Sequence, residues 1–370
     1  MKVLFLTPWY PTEQDAMAGL FVQKHAQAVR AQGVDVRVLH SQTWGELLRG
    51  WRQLRREWGL PDVVQLNVIQ KQGLLALHFK QRYKIPYIIV EHWSGYLPEN
   101  GQFMRMSAYK RRLYARIARH ASALLCVSNR LAEAMRQCGV TNAGTRKINN
   151  VVEDFFYDKV ESQKSKVESQ KSKVESQKSK AKSRKSKVES RKVFLHVSCF
   201  DERAKNVKGL LRAAKALADQ RQDWQLVLVG TGVDYKEVRA YADELKFPEG
   251  LLRWTGELAP WQVAEELAQA DVFVLPSNYE NAPVVISESL AEGVPVISTR
   301  AGGIPEMISS ECGILVPPRD DRALTEAMAT MLDHCHEYDR DKIREAGQQY
   351  SYQAVGSQLA NIYREVCTTL

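Results

Sequence analysis

No stretch of the 370-residue sequence holds the ~18 to 20 apolar residues in a row that a membrane-spanning helix needs. The opening run Met1–Leu6 is too short for the apolar region of a secretion signal. Pro8 and Pro11 follow it with no small-residue cleavage site, so it reads as a first β-strand. Cysteine is sparse. The six residues (126, 138, 199, 312, 335 and 367) form no Cys-x-x-Cys pair and no framework spacing, which argues for a reducing, cytoplasmic setting. No Walker loop and no Ser–His–Asp set stands out either.

What is present begins with size and charge. A chain of 370 residues and 42.1 kDa is too long for one ordinary domain and suits two. The net charge of +9 invites a nucleic-acid reading, but Val160–Lys192 alone holds ten Lys, two Arg and four Glu, a net of +8. Everything else nets +1. That segment is a tandem heptad, VESQKSK from Val160, Val167 and Val174, then AKSRKSK from Ala181 and VESRK from Val188. One apolar residue in seven gives neither a coiled-coil seam nor a face for repeats to stack on. The heptads therefore read as a solvated linker marking a domain boundary, either a tether for anionic lipid or a tolerated expansion.

On both sides of the linker, short aliphatic runs alternate with helical stretches. Upstream the runs are Val3–Leu6, Val34–Leu39, Val63–Val68, Tyr87–Val90, Leu124–Val127 and Lys147–Asn150. Downstream they are Val193–Val197, Gln225–Val229, Leu251–Thr255, Val272–Leu275, Pro295–Ser298 and Gly313–Val316. This alternation predicts an α/β protein of two doubly wound parallel sheets, with ligands at the strands' carboxyl ends in a cleft between them. The expected domains are 1–155, a linker at 156–192, and 193–351. Apolar residues at 355, 359, 362, 363 and 366 give 352–370 a helical stripe, expected to pack back on the first domain.

Chemistry concentrates in 272–318. A strand ends at Leu275, a loop runs from Pro276 to Pro283, and a helix over 284–292 stops at Gly293 and Pro295. The free amides and dipole of such a helix start suit an anion. Glu280 in the loop and Glu288 in the second turn bring acid to the same mouth, and acid there suits sugar hydroxyls, not phosphate. On spacing alone, Glu288 could equally lie on a solvated helix face.

The segment resembles the signature of the group 1, or family 4, retaining glycosyltransferases of GT-B fold. Pro276, Ser277, Glu280, Glu288, Ala291, Gly293, Pro295, Val296, Gly302, Gly303, Glu306, Gly313, Leu315 and Val316 all fall in register with it. By this resemblance Glu280 touches the donor sugar and Glu288 the nucleotide ribose, while Ala282, Pro283, Val284 and Val285 hold the diphosphate. Asn281 stands where the family often has Gly. Gly19, with Leu20-Phe21-Val22 and His25 after it, resembles the family's first glycine loop, and His92 its histidine near the donor sugar. Gly230 and Gly232 are a further candidate nucleotide loop. The family's Gly-Arg and Lys are less tidy here. Cys199 takes the Arg position, and Arg203, Lys205 and Lys208 are the candidate replacements.

The resemblance implies a nucleoside-diphosphate sugar donor, a glycan or lipid-linked acceptor of the cell envelope, and neither metal nor cofactor. Asp339-Arg340-Asp341 lies in a polar helical stretch, not at the strand end a metal-binding Asp-x-Asp pair needs. A GT-B-shaped epimerase or phosphorylase, and a non-catalytic glycan- or nucleic-acid-binding protein, are the competing readings. The segment Trp44–Trp58 carries Trp44, Leu47, Leu48, Trp51, Leu54 and Trp58 in one stripe with four Arg beside it, and Arg105–Arg119 is a second basic helix. Each stripe faces either the protein core or a membrane surface, and peripheral docking at the inner face of the membrane is the expectation attached to the first.

Overall fold

The structure, a computed structural model, describes residues 1–13, 15, 17–157 and 191–368. The linker assigned to 156–192 falls outside the described residues except at its ends, 156–157 and 191–192.

Two six-stranded parallel sheets organise the chain. The first holds β1 (Lys2–Thr7), β2 (Asp35–His40), β3 (Val63–Asn67), β4 (Tyr87–Glu91), β5 (Ala123–Cys126) and β6 (Thr145–Lys147), in the order β2-β1-β3-β4-β5-β6. The second holds β7 (Lys192–Val197), β8 (Trp224–Val229), β9 (Leu252–Gly256), β10 (Val272–Leu275), β11 (Val296–Thr299) and β12 (Gly313–Val316), in the order β12-β11-β10-β7-β8-β9. The central strands are buried on both faces, which is why they read as unbroken aliphatic runs: Val3, Leu4, Phe5 and Leu6 are all fully buried. The last run of the first half differs from its expected span. The strand lies at Thr145–Lys147, and Asn149 and Asn150 instead turn toward the second domain.

Helix Tyr352–Thr368 returns to the first domain and packs on helix Leu20–Ala31. Its Tyr363 is fully buried and donates to Gln65 Oε1 at 2.5 Å, so truncation to Ala costs about 3–5 kcal/mol.

Both sheets reverse direction at a switch point, β1/β3 in the first and β7/β10 in the second. Helix Leu20–Ala31, which follows β1, and the loop leaving β4 meet the loops leaving β7 and β10, and the site lies there.

Candidate active site

Between the domains is a cavity of about 370 Å³. The first domain lines it with Phe21, His92, Ser94, Val127 and Asn150, the second with Cys199, Asp201, Ala204, Lys205 and the stretch Tyr279–Ala282 plus Val284. Of the candidate cations, the structure brings one into this lining. Lys205 ends the short helix Glu202–Lys205 and ion-pairs with Glu280, which also accepts from Ser277 Oγ at 3.0 Å. Burial pulls the Lys205 ammonium down, but Glu280, Cys199 and Asp201 together outweigh it and leave the ammonium above its ordinary value. Arg203 is exposed, stacks over Tyr279 and reaches Glu99 O of the first domain at 3.4 Å. Lys208 turns the other way, to Glu237 at 3.5 Å and the ring of Tyr241, and is not among the lining residues.

The helix Val284–Glu292 begins at the cavity edge, with Pro283 as its N-cap. Ile286 N–H is used by Pro283 O at 3.1 Å, whereas the amides of Val284 and Val285 have no partner among the described residues. Behind the loop, Gly302 (φ +53°) presses on the backbone of Glu280. A Cβ there would sit 1.6 Å from Glu280 O, so the turn that shapes the Glu280 loop admits only glycine. Asn281 does not line up toward a donor alone. Its Nδ2 crosses the cleft and donates to His92 O at 2.7 Å, while Asn150 Nδ2 donates back to Ala282 O at 3.0 Å.

His92 leaves the end of β4 and packs on Phe21, ring centroids 4.1 Å apart, with His25 5.4 Å away. Burial and then the neighbouring His25 push its imidazole well below the usual range, so it is neutral. Sequence reasoning passed over the residue that holds it. Glu91, fully buried, accepts from the amides of Ile69 (3.0 Å), His92 (3.1 Å) and Trp93 (3.0 Å), and burial raises its carboxyl to about 7.

Glu288 is not on a solvated face. It is 8% exposed, with Lys24 Nζ 3.9 Å away, and that ammonium is also 3.7 Å from Glu153. Burial lifts Glu288 to about 7, against the opposing pull of Lys24 and with a further push from Glu153. Lys24 carried no motif. Its signal was only its place one turn after Gly19, whose φ of +66° and contact with the Trp9 carbonyl start helix Leu20–Ala31. Gly19 itself lies outside the cavity lining. So do Gly230 and Gly232, which pack on the backbone of Ser198 and Phe200, and Pro283 and Val285. Glu306, in register with the signature, reaches the first domain: its carboxylate accepts from Asn129 N and Arg130 N, both 2.9 Å, at the start of helix Asn129–Gln137.

The arrangement offers a hydroxyl-seeking carboxylate, a cation and unpaired amides around one cavity, which is suited to a sugar joined to a diphosphate. Comparison with known proteins gives the family. The model of Glycosyltransferase Family 4 matches residues 2–154, and that of Glycosyl transferases group 1 matches 177–350. A Bacillus subtilis (strain 168) protein with the provisional name teichuronic acid biosynthesis glycosyltransferase TuaC is 22% identical over 90% of each chain. MMP alpha-(1->4)-mannosyltransferase of Mycolicibacterium hassiacum is 30% identical over 46% of this chain and 42% of its own. Among solved structures, sucrose-phosphate synthase from Thermosynechococcus elongatus superposes with a TM-score of 0.76 at 18% identity, covering 100% of both chains. Anabaena Alr3699/HepE in complex with UDP gives 0.72 at 20% identity, covering 99% of this chain and 100% of that one. Two parallel sheets facing across a cleft, the signature in register and both family models place the chain in the group 1, family 4 glycosyltransferases of GT-B fold.

Proposed function

We propose that this glycosyltransferase moves a sugar, with retention at its anomeric carbon, from a nucleoside-diphosphate sugar to a cell-envelope glycan or lipid-linked saccharide. The observation that carries the reading is the meeting of Glu280, Lys205 and the open amide of Val284 at one cavity, with the open amide of Val285 next to it in the same helix start. As the glycosidic bond breaks, negative charge builds on the departing diphosphate, and Lys205 with the helix start offsets it. Glu280 is already held by Lys205 and Ser277, which suits a carboxylate that orients the donor's hydroxyls rather than one that attacks its carbon. Departure and attack then share one face of the sugar, with the cleft excluding water. Glu288 takes the nucleotide ribose, and neutral His92 faces the donor sugar.

With these groups available, the reading uses no metal and no cofactor. Relatives named for teichuronic and colanic acid biosynthesis support an envelope acceptor, and the UDP complexes of HepE support a nucleotide donor. A lipid-linked acceptor places the enzyme at the inner face of the cell membrane, touching it through 44–58.

The test is a thermal-shift screen of the full chain against GDP-, UDP- and ADP-sugars. One base is expected to raise the Tm by several degrees, at about 2–4 °C per kcal/mol of binding. Product NMR with that donor reads the anomeric configuration. No shift with any nucleotide sugar, or an inverted product, overturns the proposal.

A further inference from the structure

The amphipathic stripe of 44–58 is mostly core. Leu47, Trp51 and Trp58 are buried, and Trp51 packs on Phe79 at 4.6 Å. What the helix leaves outside is its arginines, and the structure sets two more basic elements beside them. Arg55 donates to Tyr83 OH at 3.0 Å and lies over the same ring, which joins helix Trp44–Trp58 to the segment 71–84. Lys80 Nζ donates to His120 O at 2.7 Å and joins that segment to helix Ala108–His120. Gln72 Nε2 donates to Ser41 O at 2.7 Å and fixes the other end.

These three elements hold thirteen basic side chains and two acidic ones, a net of +11, and ten of the thirteen are exposed. The chain outside Val160–Lys192 nets +1, so the rest of it carries −10. The near-neutral enzyme is therefore strongly polarised. Residues 71–84 and 108–120 contain no Asp or Glu at all. Exposed apolar groups accompany the cations: Trp44, Leu48 and Leu74 are 44%, 42% and 38% exposed, and Tyr109 is 76% exposed.

We propose that this three-element face docks on an anionic lipid bilayer. It deepens the acceptor reading above, on which it rests for its purpose, and replaces the single helix with a surface. Exposed lysines and arginines meet the lipid headgroups, each adding to a field that acts within a Debye length. Trp44, Leu48 and Leu74 find an apolar layer just beneath the headgroups. A nucleic acid offers the charge without that layer.

The experiment is cosedimentation of the full chain with phosphatidylcholine vesicles and with vesicles that are about one-third phosphatidylglycerol. Binding is expected to the anionic vesicles and to fall away at about 0.5 M salt. Reversal of five exposed arginines (Arg49→Glu, Arg52→Glu, Arg56→Glu, Arg112→Glu, Arg116→Glu) is expected to weaken it at least about tenfold. Deletion of 160–190, which carries its own positive charge, is expected to leave most of it. Binding unchanged by the reversal, or lost only on the deletion, overturns the proposal, as does binding to single-stranded or duplex DNA with none to vesicles. Wild-type binding and its salt dependence stand even if the reversed variant misfolds. Nucleotide thermal shift of the same samples reports the donor site separately, so the two readings fail independently.

Discussion

Two carboxylate–lysine sites lie at the mouth of one cleft, eight residues apart in the chain, and they are built differently. Glu280 and Lys205 both belong to the second domain, are in direct contact, and line the cavity. Glu288 faces a lysine of the first domain at 3.9 Å, with Glu153 as a third charge, in a buried place outside that lining. The first pair is compensated within one domain, and on the proposed reading it exchanges that contact for a substrate's hydroxyls and phosphates. The second has two acids for one cation, taken from three parts of the chain, and depends on how the domains meet. Equal spacing in a signature therefore does not mean equal chemistry.

The sharpest way to break the comparison is at the first pair. Glu280→Gln keeps the shape and loses the charge, and sugar transfer is expected to fall roughly 10²–10³-fold with nucleotide binding retained. Steady-state kinetics with the donor found by thermal shift reads it. Lys205→Met is expected to cost nearly as much, and the double variant little more than either, because the two act as a unit. Additive losses would separate them. At the second site the effect falls on binding. Glu288→Gln is expected to weaken the donor about 10–100-fold, measured as Kd by calorimetry, with a smaller change in turnover.

Glu288 also leaves a signature in the unliganded protein. Its folded value of about 7 lies above the 4.5 of an exposed glutamate, so between these limits the folded chain keeps a proton the unfolded chain has released. The contribution is full below pH 4.5 and is lost as pH rises through 7, at most about 3 kcal/mol. Denaturant titrations across pH 4.5–7 should give a flatter profile for Glu288→Gln than for the parent. An identical slope would mean the carboxylate is ionised throughout. Glu91, also raised to about 7, supplies the same sign, so the slope should flatten without vanishing.

Most of the fold was legible because buried parallel strands are plain aliphatic runs: all twelve were anticipated, and only β6 moved appreciably. The Glu280 loop was legible because it sits between a plain strand and a helix start in one short segment, and the Gly302 that packs behind it falls in the same signature. Lys24 and Glu153 were not, since each acts through a partner far away in sequence. Nor was Glu91, whose role rests on burial and on the three amides it accepts from, which no motif marks. Lys24 and Glu288 are 264 positions apart. The cation question divided the same way: Lys205, Arg203 and Lys208 share one short segment, and only tertiary neighbours distinguish Glu280 from Glu99 and Glu237. Helix Trp44–Trp58 shows the limit of periodicity, which finds a stripe but not which of core or solvent claims it.

Glu306 tests how far the second site depends on domain placement. Its carboxylate satisfies two amides at the start of helix Asn129–Gln137 and lies 3.3 Å from Lys147 Nζ, all across the cleft. Glu306→Ala should destabilise the chain by about 1 kcal/mol, seen in the denaturant midpoint. Donor affinity should fall more at Glu288's end than turnover does at Glu280's. An equal effect on both would mean the domains move as one.

Lys24→Met should give the smallest effect and the most specific one. Removing the ammonium leaves burial and Glu153 acting alone, and both raise Glu288 above its present value of about 7. More of the carboxyl is then protonated at neutral pH, and a protonated carboxyl offers the ribose hydroxyls one acceptor fewer. Donor affinity should drop about three- to fivefold at pH 7 and recover toward the parent's as the pH is raised to about 9, because Glu288 ionises in both. A merely structural loss would lower affinity by the same factor at every pH. A Lys24→Arg variant keeps the charge and should keep the parent's pH profile. If Arg fails as Met does, the size of the lysine matters and not its charge, and the contrast between the two glutamates must rest on burial alone.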